Sequence, residues 1–405
     1  VRQRLPLLSG PSELRPAGRA PAGRSDDDLR YFRNIPMNAG FRRPRTFRVF
    51  APSAPYLTGG LGRPPASSPP PRAMLDAVGA GVLALALVGL AVGTEAHAEP
   101  AVIYSTGGKF DKSFNEGAWN GARAWSEERD APFSEFQIQS ASQSEQALRS
   151  FARDGKDPIV AIGFNHAAAL AKVAPEFPDA HFAIVDMVVS GGNIRSIVYR
   201  EHEGGFLVGM LGAMASQTGK LGFVGGMDIP LIRKFACGYI QGARAADPTV
   251  EVLVNYTGDT PAAWSDPVRG AEIARTQIEQ GADVVMQAAG GTGIGVLQAA
   301  ADAGVLGIGT DSNQNGLHPG QVLTSMLKKV DVAVYETFKD GADGFKPGVV
   351  SLGIAEGGIG WALDEHNRDL ITPEMETAAH EAAELIADGE IKVHDSTVDG
   401  PCPVQ

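Results

Sequence analysis

Residues 220–247 read KLGFVGGMDIPLIRKFACGYIQGARAAD. An apolar run ends at Met227 in a short turn containing proline, and a pattern of helical spacing follows. A nearly continuous apolar run bounded by turn residues is the pattern of a strand buried on both faces. The unit recurs along the chain. Upstream stand AVIYST with NEGAWNGARAWSEE, FSEFQIQ with SEQALRSFARDG, and PIVAIGF with NHAAALAKVAPEF, followed by HFAIVD, IRSIVY and GGFLVGMLGAMASQ. Downstream stand VEVLVNY with PVRGAEIARTQIEQG, ADVVMQAA with GIGVLQAAADAG, and VLGIGTD.

Strand and helix alternate in two series, divided at the polar link SQTGKLG. Such alternation predicts an α/β protein of two doubly wound parallel sheets, each covered by helices on both faces. VLTSMLKKVDVAVYETFKDGADG adds a strand and a helix, and GVVSLGIAEGGIGWAL a further strand and turn. A last helix is expected after Thr372, with proline in its first turn. Two such lobes place a ligand in the cleft between strand C-terminal ends, where hinge-closing receptors hold theirs.

The net charge of -12 conceals an asymmetry. Residues 1–73 carry 13 arginines, no lysine and four acids, whereas the remainder carries 22 basic and 43 acidic residues. The acidic body would repel nucleic-acid phosphates. The leader is rich in Pro, Arg and Ser without periodicity, and no packed core is expected of it. Two readings stand for it: a start codon assigned too far upstream, which Val1 suits, or an Arg-rich targeting or disordered arm. From Ala77 to Thr94 the chain is free of charge, and Ala96-His97-Ala98 follows as an A-x-A site. This is the form of a secretory signal peptide over 74–98, with cleavage after Ala98. A retained membrane anchor is the alternative. Cys237 and Cys402 remain in the exported part, and export permits but does not require a disulfide. No cysteine adjoins the cleavage site, so a soluble periplasmic protein is expected rather than a lipoprotein.

Few motifs point to catalysis. GGTGIG follows a strand and opens a helix, with Asp311 some way beyond, but glycines at 290, 291, 293 and 295 do not make the dinucleotide spacing G-x-G-x-x-G. There is no G-x-S-x-G elbow and no metal-ligand spacing. His202 reads as a surface or cap residue, and Trp264 as a packing residue. No enzyme activity, cofactor or metal is expected.

The stretches DKSFNEGAWNG, IVD before NIRSIVYREHEGGFLVGMLGA, GKLGFVGGMDIPLIRKFACGYIQGAR, WSDPVRGAEIA, GADVVMQAAGGTGIGVLQAA, IGTDSNQ and VLTSMLKKVDVAVY occur in order over 101–360. Together they resemble the basic membrane protein family of substrate-binding proteins for ABC transporters, which includes the purine nucleoside receptor. The resemblance implies a type I periplasmic-binding-protein fold with hinge crossovers between its lobes. It implies that Phe114 and Phe235 sandwich a base, with Asn115 beside Phe114. It implies that Asp186 hydrogen-bonds the base and Asp311 the ribose, with the backbone of Gly290 or Gly291 close by. Lys328, rather than Lys329, matches the family lysine near the ribose.

The expected N-terminal lobe is 99–217 plus 324–347, and the C-terminal lobe 218–323 plus 348–405. The expected function is a monomeric periplasmic receptor that delivers a nucleoside, in the first instance a purine nucleoside, to a membrane permease. The alternatives are a receptor for another small polar ligand such as a sugar, an exported nucleoside hydrolase, and an anchored signalling receptor.

Overall fold

The computed structural model describes residues 98–404. The expectations for the leader, and for the apolar run of the signal peptide, lie outside the described residues. In chain order the elements begin with β1 (Ala101–Tyr104), α1 (Phe114–Arg129), β2 (Ser134–Gln137), α2 (Ser144–Arg153), β3 (Ile159–Ile162), α3 (Ala167–Val173), β4 (Phe182–Val185), β5 (Ile194–Tyr199) and α4 (Glu201–Ala215). There follow β6 (Lys220–Met227), α5 (Pro230–Ala246), β7 (Glu251–Gly258), α6 (Pro267–Glu279), β8 (Val284–Ala288), α7 (Gly293–Asp302), β9 (Leu306–Asp311) and β10 (Val322–Lys328). The last elements are α8 (Val330–Gly344), β11 (Gly348–Leu352), β12 (Ile359–Trp361) and α9 (Pro373–Ala387).

Two sheets result, ordered β11-β5-β4-β3-β1-β2 and β12-β10-β9-β8-β6-β7. Every pairing is parallel except that of β10 with β12. The orders superimpose element for element, so β4 of the first lobe corresponds to β9 of the second. β1, β3, β4 and β8 are buried along their whole length, which explains their unbroken apolar sequences. The helix expected after Thr372 is α9, and the Thr372 side chain accepts the Met375 N–H as its cap.

The sheets correct the boundaries drawn from sequence. The chain leaves the first lobe at Arg200, before α4, not at 217. α4 is buried from Glu201 to Gly212 and packs on α5, so it belongs to the second lobe. β10 pairs with β9, so residues 322–328 lie in the second sheet. α8 packs on α1 and β11 pairs with β5, so 330–352 return to the first lobe. Three crossovers therefore join the lobes, after Tyr199, Lys328 and Leu352.

α4 and α5 touch backbone to backbone. A Cβ at Gly209 would stand 2.1 Å from the Tyr239 carbonyl oxygen, and one at Gly242 1.8 Å from that of Phe206. Only glycine allows this approach, which carries Glu201, Lys234 and Phe235 to the crossovers. His202, in the first turn of α4, is buried by the same packing rather than exposed. Cys237 of α5 is bonded to Cys402, fixing the C-terminal tail on the second lobe. Gly242→Ala is expected to separate the helices and to cost about 2–3 kcal/mol. A urea unfolding midpoint unchanged from wild type would show that the contact is not tight.

Candidate functional site

The site is built where the three crossovers meet. Arg200 N donates to Leu352 O, Lys329 N to Gly358 O, and Tyr199 Oη to Lys329 O, at 2.9, 2.9 and 3.0 Å. In front of this junction lies a cavity of ≈ 290 Å³ lined from both lobes. Of the eight residues that the resemblance implies for the site (Phe114, Asn115, Asp186, Phe235, Gly290, Gly291, Asp311 and Lys328), all but Gly291 line it. Gly291 faces the Trp264 carbonyl instead, 3.2 Å from where its Cβ would be.

Asp186 follows β4 and Asp311 ends β9, the corresponding strands of the two lobes. Both have left-handed backbones, with φ of 69° and 68°. Such conformations are sparsely populated outside glycine, tolerated by Asp, and cluster at functional sites. One carboxylate from each lobe thus meets the cavity at the same topological position.

Lys328, at the end of β10, joins them. Its Nζ lies 2.6 Å from Asp186 Oδ1 and 3.0 Å from Glu201 Oε1. Glu201 is fully buried and its other oxygen pairs with Lys234 Nζ at 2.6 Å. Lys234 Nζ also donates to the Tyr199 carbonyl at 2.9 Å. The Lys328 ammonium stands 5.0 Å from the ring centre of Tyr199, 5.1 Å from Phe114 and 5.6 Å from Phe235, within cation–π range. Burial disfavours its charge, but Asp186, Glu201 and Asp311 outweigh burial and raise its pKa. Burial acts on Glu201 too, yet Lys328 and Lys234 together hold its pKa low. Burial pushes Asp186 and Asp311 upward against the attraction of Lys328.

The loop before α1 is fixed from within. Asp111 accepts the N–H groups of Ser113, Asn115 and Glu116 at 2.9, 3.0 and 3.1 Å, capping the helix from two residues before its N-cap. Burial pushes its carboxyl up to about 7, opposed by these three donors. Asn115 donates to Asp111 Oδ2 and accepts from Ser105 N. It therefore ties α1 to the end of β1 and sets the position of Phe114.

Sequence reasoning passed over Phe164 and read Trp264 as a packing residue only; both line the cavity, with ring centroids 6.5 Å apart. Trp264 both packs and lines: its ring covers Gly226, where a Cβ would be 2.2 Å away. Phe164 follows β3 at the place where Gly290 follows the corresponding β8, a signal visible only once the lobes are superimposed. Glu201 was also missed, since its neighbour His202 reads as a surface or cap residue. Lys329 does not line the cavity.

Residues 99–397 match the family described as ABC transporter substrate-binding protein PnrA-like. The chain is 31% identical over 317 residues to the ABC transporter nucleoside-binding protein BmpA of Lactococcus lactis, covering 72% of this chain and 88% of that one. It is 30% identical to basic membrane protein A of Borreliella burgdorferi, covering 73% of this chain and 87% of that one. A solved ABC transporter solute-binding protein of Aeropyrum pernix superimposes with a TM-score of 0.67 at 30% identity, over 74% of this chain and 93% of that one.

Lys328→Met is expected to leave Asp186 buried without its cation, while Lys234 still pairs Glu201, and to destabilise the protein by about 3–5 kcal/mol. Adding Asp186→Asn to that variant should recover part of the loss in urea unfolding. A Lys328→Met variant as stable as wild type would mean the cluster is solvated.

Proposed function

Because the chain belongs to the Bmp family of PnrA-like ABC transporter substrate-binding proteins, we propose that its small-molecule ligand is a nucleoside. The observation that carries this is the pairing of Asp186 with Asp311, one from each lobe, across a cavity walled by aromatic rings. Phe114 and Phe235 offer faces to a base, and stacking contributes about 1–3 kcal/mol per base. Stacking discriminates poorly between bases, so Asp186 reads N–H donors on the base edge while Asn115 holds Phe114. Asp311 accepts the ribose hydroxyls beside Gly290, whose lack of a side chain lets the sugar approach. Lys328 keeps Asp186 ionised and faces the ribose. The cavity volume, ≈ 290 Å³, is near the lower end of the roughly 300–1,000 Å³ of small-molecule sites. A purine nucleoside is the first candidate.

Binding shifts the population of lobes from open to closed. The protein acts as a receptor, not an enzyme, and hands its ligand to a permease. Export with cleavage after Ala98 would yield a soluble periplasmic monomer starting at Glu99. In support, Glu99 is tied into the first lobe: it accepts from Ser134 Oγ and pairs with Lys156.

Calorimetry on refolded protein is expected to show tight one-to-one binding of a ribonucleoside, with free base and ribose much weaker. Binding of ribose as tight as that of any nucleoside would instead indicate a sugar receptor. Asp311→Ala should weaken ribonucleosides about 10- to 100-fold while leaving free bases nearly unchanged. Equal losses would remove Asp311 from the ribose site.

Protonation of Asp186 competes with an N–H donor, so affinity should be flat above pH 7. Below the raised pKa of Asp186, about 6, it should fall roughly tenfold per pH unit. Asp186→Asn should abolish that fall; its persistence would assign the proton elsewhere.

A further inference from the structure

The loop 111–115 of the first lobe touches the loop 310–314 of the second. Ser113 stands immediately before α1, where a serine ordinarily caps its own helix. Here its hydroxyl donates instead across the cleft to Asp311 Oδ2 at 2.6 Å. Ser312 Oγ returns a bond to the Ser113 carbonyl at 2.8 Å, and Gln314 Nε2 donates to the Lys112 carbonyl at 3.0 Å.

Both halves of this contact are held rigidly. Asp111 has taken over the capping of α1, which frees the Ser113 hydroxyl. Lys112 has a left-handed backbone, φ 59°, inside the same capped turn. On the other side, Gln314 Oε1 accepts from Thr310 N and from Gln287 Nε2, and Gln314 N donates to Ser325 Oγ. With Oε1 held by Thr310 and Gln287, the Gln314 side-chain NH2 group is turned toward the Lys112 carbonyl. Ser113 and Gln314 are buried, so their bonds are sheltered from competing water.

We propose that Ser113, Ser312 and Gln314 form an interlobe latch, and that Ser113 is a positioning residue that acts through Asp311. The latch needs no ligand: all three bonds run between protein groups. It gives the ligand-free protein a substantial closed population, in which the orientation of Asp311 is already set. The positioning role rests on the ribose-binding reading of Asp311, whereas the latch does not.

The test uses the full chain with dyes on Asp154→Cys and Asp302→Cys, exposed sites one in each lobe. Single-molecule energy transfer on refolded, ligand-free protein should show a closed population in wild type. Ser113→Ala and, separately, Gln314→Ala should reduce it several-fold, and Ser113→Thr should restore it. Ser113→Ala removes a single hydroxyl, and Gln314→Ala breaks the latch at a separate bond, which keeps the test informative if the first variant folds poorly. A closed population equal to wild type in both variants would overturn the latch.

For the positioning role, guanosine and 2′-deoxyguanosine are titrated into each protein. Ser113→Ala should shrink the preference for guanosine by about tenfold, and Ser113→Thr should recover it. An unchanged preference, with affinity for both lowered equally, would reduce Ser113 to the latch alone. Failure of wild type to bind any nucleoside would overturn the functional reading and the positioning role, while the ligand-free closed population would still decide the latch.

Discussion

An ammonium group buried where the two lobes meet governs this structure. Lys328 ends the strand that leads into the second crossover, and its Nζ is held by Asp186 from one lobe and Glu201 from the other. A charge in that position is costly unless every neighbour compensates it. The surroundings are arranged accordingly: Glu201 is shared with Lys234, and three aromatic rings turn their faces to the cation. The glycine contacts between α4 and α5 exist to bring those partners within reach. The crossovers, the cavity wall and the charge balance are therefore one construction, and a change to any part reaches the others.

The likeness of the lobes explains the chemistry of the cleft. Corresponding strands end in Asp186 and Asp311, each with a left-handed backbone, so closing the lobes brings two carboxylates to one small space. Repulsion between them is relieved by Lys328 and, on the Asp311 side, by the Ser113 hydroxyl. A ligand that fits must be flat enough for ring walls and must present hydrogen-bond donors at two places. A base joined to a ribose meets both demands. The same closure puts protein–protein bonds around the site.

Much of the fold was legible because strands and helices are set by local period and by turn residues. The run before Asp311 and the capped helix after Thr372 are instances. Sheet membership was not legible, since it depends on pairings between distant segments. Nothing local to VLTSMLK tells that it lies beside β9, nor does GVVSL reveal that it returns to β5. α4 was placed in the wrong lobe for the same reason: its apolar surface does not name its partner. Phe114, Phe235, Asp186, Asp311 and Lys328 were found through motifs of the family, and spacing alone would have left them as turn or helix residues. Glu201 and Ser113 were passed over because their roles appear only against groups far along the chain, Lys328 and Asp311.

The central claim is that the lobes close on an intact nucleoside. The most direct test is native mass spectrometry of refolded protein incubated with equimolar guanosine, adenosine, cytidine, guanine, ribose and galactose. The account requires one ribonucleoside retained per chain, displaceable by excess of the same compound. Retention of a free sugar or free base in preference to every nucleoside, or of none of the six, would contradict it.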